Sequence, residues 1–370
     1  GVVLFARVLG PAGLGAYYLV LAAGKTVSQL SNGIATAVKK RVAESETDVS
    51  AFFGVGLLSH LGIVSLVVFL TSLVDPLVAG VVDVPNLVVS ITIIVFSLGF
   101  FQICNGFYAG IGNPGRAGWA DTVRSILTLL FQVAFILAGW GAFGLVVAFA
   151  AASFLSGIGV WIAAGVLPRL PPRDVVKSTF EFARWSVPTA MTNDLYSRLD
   201  ILLIGVIVGN EAVGFYETAL RLAQPGAFLA TSISGPLHVK ASGLSSRSLD
   251  VIPDLENALA YCGLLTVPIF FGAIAMPVEI VRTVFGAEFT PAWAALIGLA
   301  LFQVLNGYAA PFESIVSAID QVRYQFGIST LILFIHAPLA ILLGLRYGLI
   351  GLVGATIFGE IVRLTAYQYL

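Results

Sequence analysis

Apolar stretches of about 20 residues, the length that crosses the hydrocarbon core of a bilayer, follow one another from end to end of this chain. They fall at 14–37, 51–74, 87–111, 118–138, 144–167, 187–208, 212–236, 259–285, 293–319, 328–345 and 348–370, and Gly1 to Leu9 reads as the tail of one more. Hydrophobic residues make up 58% of the chain and charged residues 11%, far from the soluble balance of about half and a quarter. A soluble fold of this size cannot hide that much apolar surface. The expected fold is an all-α integral membrane protein.

The stretches also repeat in pattern. Val8-Leu9-Gly10 through Gly15 and Tyr17 recurs as Ile207-Val208-Gly209 through Gly214 and Tyr216, at an offset of 199. Phe101-Gln102-x-x-Asn105-Gly106 recurs as Phe302-Gln303-x-x-Asn306-Gly307. Arg116 with Trp140-Gly141-x-x-Gly144 recurs as Arg323 with Tyr347-Gly348-x-x-Gly351, the offset drifting to 207 as loop insertions would cause. Duplication of a helical membrane unit is how many secondary transporters set a substrate path between two similar halves. The expectation is about 12 transmembrane helices in two pseudosymmetric six-helix bundles around a central cavity. Residues 1–167 would form the first bundle, its first helix truncated, 168–186 a cytoplasmic linker or interfacial segment, and 187–370 the second bundle. The front of the first helix would precede Gly1, and further helices could follow Leu370.

With the N-terminus cytoplasmic, inner segments hold Lys39, Lys40, Arg41, Arg116, Arg124, Arg169, Arg173, Lys177, Arg184, Lys240, Arg247 and Arg323, and outer ones only Arg7, Arg282 and Arg346. Twelve against three is a positive-inside bias, which predicts a multi-pass protein of the cell (cytoplasmic) membrane. Trp119, Trp140, Trp185 and Trp293 sit near predicted helix ends, as interfacial aromatics do. Cys104 and Cys262 lie in spans and make no disulfide framework. A net charge of -1 gives no sign of nucleic-acid binding. The segment from Asp174 to Trp185 alternates Val175, Val176, Phe180 and Phe182 with Lys177, Glu181 and Arg184. It reads equally as an interfacial segment with basic groups toward anionic lipid or as a solvated linker. Pro225, Pro268, Pro277, Pro311 and Pro338 fall inside spans of the second half and are candidate hinges or static bends.

Arg7-x-Leu9-Gly10-Pro11-x-x-Leu14-Gly15-x-Tyr17, followed by Lys39-Lys40-Arg41, resembles the opening of polysaccharide-export and lipid-linked oligosaccharide flippases. Leu199-Asp200-x-x-Leu203-Ile204-Gly205 with Val213-Gly214-x-Tyr216 is similar to the start of their second half, and Val284-Phe285-Gly286-x-Glu288-Phe289 to a short outer turn. These families belong to the multidrug/oligosaccharidyl-lipid/polysaccharide exporter superfamily, and the resemblance spans nearly the whole chain. It implies flipping of a polyprenyl or dolichyl (pyro)phosphate-linked oligosaccharide by alternating access, with membrane lipids around it. H+ or Na+ and glycan assembly enzymes are implied as further partners, with no cofactor and no nucleic acid.

A charge at mid-membrane costs roughly 2.5 to 3.5 kcal/mol on the insertion scale, so such residues usually face a wet cavity or a partner. Lys25 sits mid-span, and Gln29, Asn32 and Thr36 follow at helical spacing as one polar stripe. The repeat maps position 25 onto Gln224, with Glu217 and Arg221 on the same face. Lys25 and Arg221 could therefore face one cavity and hold a pyrophosphate, the guanidinium as a fork and the ammonium as a point charge. The plainer reading pairs Arg221 with Glu217 and lets Lys25 snorkel or bond its polar neighbours. Arg198 reads as a headgroup ligand or as the i, i+4 partner of Asp194, and Asp194, Asp200 and Glu313 are candidate ion-coupling acids. Glu313 shares a helix face with Gln303 and Asn306. Asp320 reads as a wetted acid, Glu360 and Arg363 as a mutual pair, and His60 and His336 as packing residues. The amides of the duplicated Phe-Gln-x-x-Asn-Gly could bond sugar hydroxyls, with helix packing the safer reading.

No nucleophile triad, metal-ligand spacing, phosphate-binding glycine loop or dinucleotide fingerprint is present in the sequence, and the loops are too short for a catalytic domain. That counts against a membrane glycosyltransferase or polymer ligase. A multidrug exporter of the same superfamily is the nearer rival, but its cavity would favour acids for cationic drugs, where Lys25, Arg198 and Arg221 favour an anion.

Overall fold

The computed structural model describes residues 1–44, 49–78, 86–245, 247, 249–319 and 322–368, with the side chains at 74–78, 193, 196, 322, 323, 325, 326 and 329 outside that description. Most of the expected outer connection 75–86, together with Asp320 and the side chain of Arg323, therefore lies outside the described residues. Among the described residues the chain forms twelve α-helices and no strand. They are α1 (Val2–Glu44), α2 (Val49–Val78), α3 (Leu87–Gly110), α4 (Pro114–Leu137), α5 (Gly141–Ala164), α6 (Arg173–Ile207), α7 (Asn210–Ala223), α8 (Phe228–Ser245), α9 (Ile252–Ala275), α10 (Pro277–Phe285), α11 (Trp293–Ala318) and α12 (Val322–Gln368).

Eight helical segments among the described residues are long and apolar enough to cross a membrane. Their outward faces are apolar too: Val123, Ile126, Leu130 and Leu137 of α4 are all exposed, and Phe334 of α12 is 75% exposed. Contiguous apolar faces of that kind are stable against lipid rather than water. α6 has the length to span but carries Asp194, Arg198 and Asp200.

Two of the long helices are each broken at a glycine. In α1 Gly10 adopts φ 67° and ψ −179°, immediately before Pro11, which has no N–H to give and disfavours helical backbone in the residue before it. In α12 the break is Gly348, at φ 61° and ψ −138°. The repeat reproduces both corners. Gly209, the counterpart of Gly10, has φ 112° and ψ 175°, and Gly141, the counterpart of Gly348, has φ 60°. Only glycine holds such values without strain, so the duplicated glycines mark duplicated backbone.

The chain divides into two compact units, one of Gly1–Leu9 with Ala16–Leu202 and the other of Gly10–Gly15 with Leu203–Leu370. In the first, α3 packs on α2, α4 and α5. The body of α1 runs parallel to α3, with Gly24 against Ile94, Gly106 against Ala35 and Gly110 against Lys39. Small residues permit this close approach in a membrane, where van der Waals packing must do what water exclusion does elsewhere. His60 of α2 is buried and ties two further helices, its Nε2 3.0 Å from the Phe96 carbonyl of α3 and its Nδ1 2.9 Å from Ser31 Oγ of α1. The carbonyl can only accept, so Nε2 carries the proton and Nδ1 receives the serine hydroxyl.

In the second unit α11 is central and packs on α7, α8, α9 and α12. Leu237, Ala241, Ala258, Ile315 and Ala318 form a buried cluster between α8, α9 and α11. The entry segment Gly10–Gly15 packs into this unit by a reciprocal contact. A side chain at Gly15 would strike the Asn210 carbonyl, and one at Gly214, the repeat counterpart of Gly15, would strike the carbonyl of Pro11.

Three expected boundaries shift. The span 259–285 ends at Ala275, because Met276 leaves helical backbone and Pro277 opens α10. The span 212–236 is interrupted at Gln224–Ala227 by a 3-10 turn holding Pro225. Most of the segment 168–186 is the first part of α6, since Val175, Thr179 and Ala183 recur every four residues as a buried stripe. Pro268, Pro311 and Pro338 lie inside continuous helices, as do Pro188 and Pro236.

Candidate functional site

A cavity of about 540 Å³ opens within the first unit between α1, α3, α4 and α6. The polar stripe of α1 supplies one wall, with Lys25, Gln29, Asn32, Thr36 and Lys39 in ascending order. Gln102 and Asn105 line it from α3, Asp121 and Arg124 from α4, and Arg198 from α6. Four cations and one acid line the wall, and Asp194 pairs with one of the cations from behind, so the balance of charge is cationic.

The inner end is held by aromatic rings as well as by charge. Lys25 Nζ lies 5.3 Å from the centroid of Phe149, a residue of α5. Arg124 lies 5.7 Å from the same ring and 5.1 Å from Phe101. Both cations therefore lie within cation–π range of one ring. Arg124 also binds Asp121 Oδ1 through Nε at 3.1 Å and Nη2 at 2.9 Å, and its side chain is 14% exposed.

Asp194 stands behind the wall and organises it. Its carboxylate accepts from Thr26 Oγ1 at 2.8 Å, from Gln29 Nε2 at 3.1 Å and from Arg198 Nε at 3.0 Å to each oxygen. Gln29 in turn accepts from Asn32 Nδ2 at 2.8 Å. The i, i+4 pair of Asp194 and Arg198 is thus present, and it presents Arg198 to the cavity while α1 and α6 are fastened together. Asp200, two residues beyond Arg198 on α6, is not on this wall.

Gln102 Oε1 and Asn105 Oδ1 are buried and accept no hydrogen bond from the described residues. The duplicated motif therefore faces the cavity in its first copy, where packing was the safer expectation.

The remaining candidates belong to the second unit. Arg221 Nη2 lies 3.3 Å from Glu217 Oε2, and Nη1 donates to Gln224 Oε1 at 3.1 Å, so the three form one cluster on α7 and the turn after it. Glu313 faces Arg363 at 3.7 Å, and Arg363 also bonds Glu360, placing two carboxylates around one guanidinium between α11 and α12.

Arg124 and Asp121 were not among the sequence candidates. The charge pattern groups Arg124 with the inner loops, although the span 118–138 encloses it, and the structure places it well inside α4. A charge enclosed by a predicted span, with an acid three residues before it, was the available signal. Phe149 had none, since an aromatic on an apolar helix is ordinarily packing.

The family described as Polysaccharide biosynthesis protein matches residues 4–294. The chain is 23% identical, over its whole length and 78% of the relative's, to the "Probable low-salt glycan biosynthesis flippase Agl15" of Haloferax volcanii. Among solved structures, the lipid II flippase MurJ in an inward closed conformation superposes on the whole chain with a TM-score of 0.80, at 17% identity and 84% coverage of that protein. An inward-facing multidrug resistance transporter of the MATE family and MOP superfamily superposes on the whole chain with a TM-score of 0.74, at 16% identity and 93% coverage. The fold is that of a membrane flippase or exporter.

Proposed function

The chain belongs to the polysaccharide biosynthesis protein family, and on that basis we propose that it flips a polyprenyl or dolichyl (pyro)phosphate-linked oligosaccharide. The headgroup would pass from the cytoplasmic to the outer leaflet of the cell membrane by alternating access while the lipid tail stays in the bilayer. The observation that carries this reading is the cation-lined cavity of the first unit, where Lys25, Lys39, Arg124 and Arg198 line a chamber inside an otherwise apolar helix bundle. Ammonium and guanidinium groups in such a setting bind phosphate oxygens through charge-assisted hydrogen bonds. The likeness to a probable glycan biosynthesis flippase of Haloferax volcanii supports a sugar-bearing lipid as cargo.

The face that carries Lys39, Lys40, Arg41, Arg116, Arg169 and Lys240 would be cytoplasmic, from its excess of Lys and Arg. Energy would come from an H+ or Na+ gradient or the membrane potential, with Asp194, Asp200 and Glu313 as candidate coupling acids. Of these, Asp194 is committed to three side chains within the first unit. Arg221 and Gln224, clustered with Glu217, would contact the headgroup from the second unit. The likeness to a multidrug transporter extends to the fold, but a wall with four cations and one acid would repel a cationic drug.

The test is headgroup translocation of a lipid-linked oligosaccharide in proteoliposomes of the full-length protein, with and without an imposed ion gradient. Gradient-dependent flipping, lost in Lys25→Ala, supports the reading. Absence of flipping with native substrate present removes it.

A further inference from the structure

We propose that the cavity of the first unit is a two-part receptor for a glycosyl phosphate: Lys25 and Arg124 hold the phosphate beside Phe149, and the amide oxygens of Gln102 and Asn105 hold the sugar attached to it. This rests on the flippase reading and adds which part of the headgroup each wall recognises.

Gln102 Oε1 and Asn105 Oδ1 are both buried at the cavity and without a donor among the described residues. Buried carbonyl oxygens are almost always bonded, and leaving one unmet is costly. Two of them three residues apart on α3 project from one helix face, so they call for a ligand that brings at least two donors. An ionised phosphate has only acceptors and cannot satisfy them. Lysine and arginine have only donors and are matched to the phosphate. A sugar ring offers several hydroxyl donors at neighbouring carbons. An ammonium cargo also donates, but it would meet Lys25, Lys39, Arg124 and Arg198 on the same wall.

The parallel course of α1 and α3 sets the order of the two parts. Gly24 lies against Ile94, Gly99 near Ser31, Gly106 against Ala35 and Gly110 against Lys39. Lys25 is therefore at the inner end, and Gln102 and Asn105 lie between it and Lys39. Arg124 reaches the inner level through Phe101 and Phe149. The phosphate sits deep and the first sugar lies on the side of the turn between α3 and α4.

The experiment measures binding of two phosphodiester probes of equal charge, dolichyl methyl phosphate and dolichyl phosphate glucose, to the full chain in nanodiscs. The wild type should prefer the glucosylated lipid by about tenfold, the scale of one or two net hydrogen bonds. Gln102→Met and Asn105→Leu should abolish that preference and leave dolichyl methyl phosphate binding within about twofold, while Gln102→Glu, which keeps acceptor oxygens, should retain it. Lys25→Met and Arg124→Met should weaken both lipids. A wild type that binds both lipids equally, or Met and Leu variants that keep the preference or lose both lipids alike, overturns the sugar assignment and leaves the flippase reading standing. A wild type that binds neither lipid overturns both.

Discussion

Replacing Asp194 by asparagine should weaken the fold and strengthen anion binding in the same protein. The carboxylate is 11% exposed and Arg198 27%, so the pair is only partly screened. It collects Thr26, Gln29 and Arg198. Asparagine keeps one acceptor oxygen, loses the charge, and turns an NH2 toward groups that themselves donate. Losing one charge-assisted hydrogen bond costs about 1.5–3 kcal/mol, and the neighbouring donors add to that, so about 2–3 kcal/mol is a fair total for a site open to a cavity. At about 2–4 °C per kcal/mol for a unit of this size, the melting temperature should fall by about 5–10 °C. The same change frees a guanidinium on the cavity wall and removes a negative charge behind it. Dolichyl phosphate should then bind about tenfold more tightly, the value of one more charge-assisted contact. A detergent melting curve and a nanodisc binding isotherm read the two effects. In the double variant Asp194→Asn with Arg198→Gln, part of the stability should return, because no charge is left without its partner. Unchanged melting together with unchanged affinity would refute the clamp role assigned to Asp194.

Other outcomes follow from the same geometry. Gly214→Ala and Gly15→Ala each press a methyl into a backbone carbonyl and should lower the yield of monodisperse protein sharply on size-exclusion, whereas Gly62→Ala, with open space around it, should not. His60→Ala removes the donor to the Phe96 carbonyl and the acceptor for Ser31, and should cost about 1–3 kcal/mol of stability in thermal melts without altering lipid preference. Phe149→Leu keeps a buried, apolar but smaller side chain and loses the ring face near Lys25 and Arg124, and should weaken dolichyl phosphate binding several-fold while melting falls by only a few degrees.

The stripe of Lys25, Gln29, Asn32 and Thr36 was legible because helical spacing puts it on one face of a single helix. The opposite walls were not, because nothing in the local order of α3 or α4 says which of their faces meets α1. Gln102, Asn105 and Arg124 come to the cavity through tertiary packing alone. The spans were legible because apolar runs of bilayer length leave few alternatives. The start of α6 was hidden by its composition: Val175, Thr179 and Ala183 form a helical stripe that is small and partly polar, set among exposed Phe180 and Trp185. The break at Met276 was marked only by Pro277, since Val278, Ile280 and Val281 carry the apolar run past the end of the helix.

The length of α6 has a consequence at the membrane surface. Its 35 residues reach about 52 Å at 1.5 Å per residue, against about 30 Å of hydrocarbon. The body of α1 is of similar length, and its end is fastened to α6 where Arg41 Nε donates to the Ser178 carbonyl at 3.1 Å and Lys40 lies 4.5 Å over Phe182. Lys40, Arg41, Arg173 and Lys177 cannot remain in hydrocarbon, so the surplus length must stand among the headgroups at this end. There each basic residue near an anionic surface contributes about 1 kcal/mol of attraction, over a range of about 10 Å in 0.1 M salt. The two helices form a charged mast on the same side as Lys39 and the cavity turn. If the cargo is the proposed lipid, its negative headgroup would meet that mast while still diffusing in the leaflet, and raising the salt should slow capture before it weakens binding.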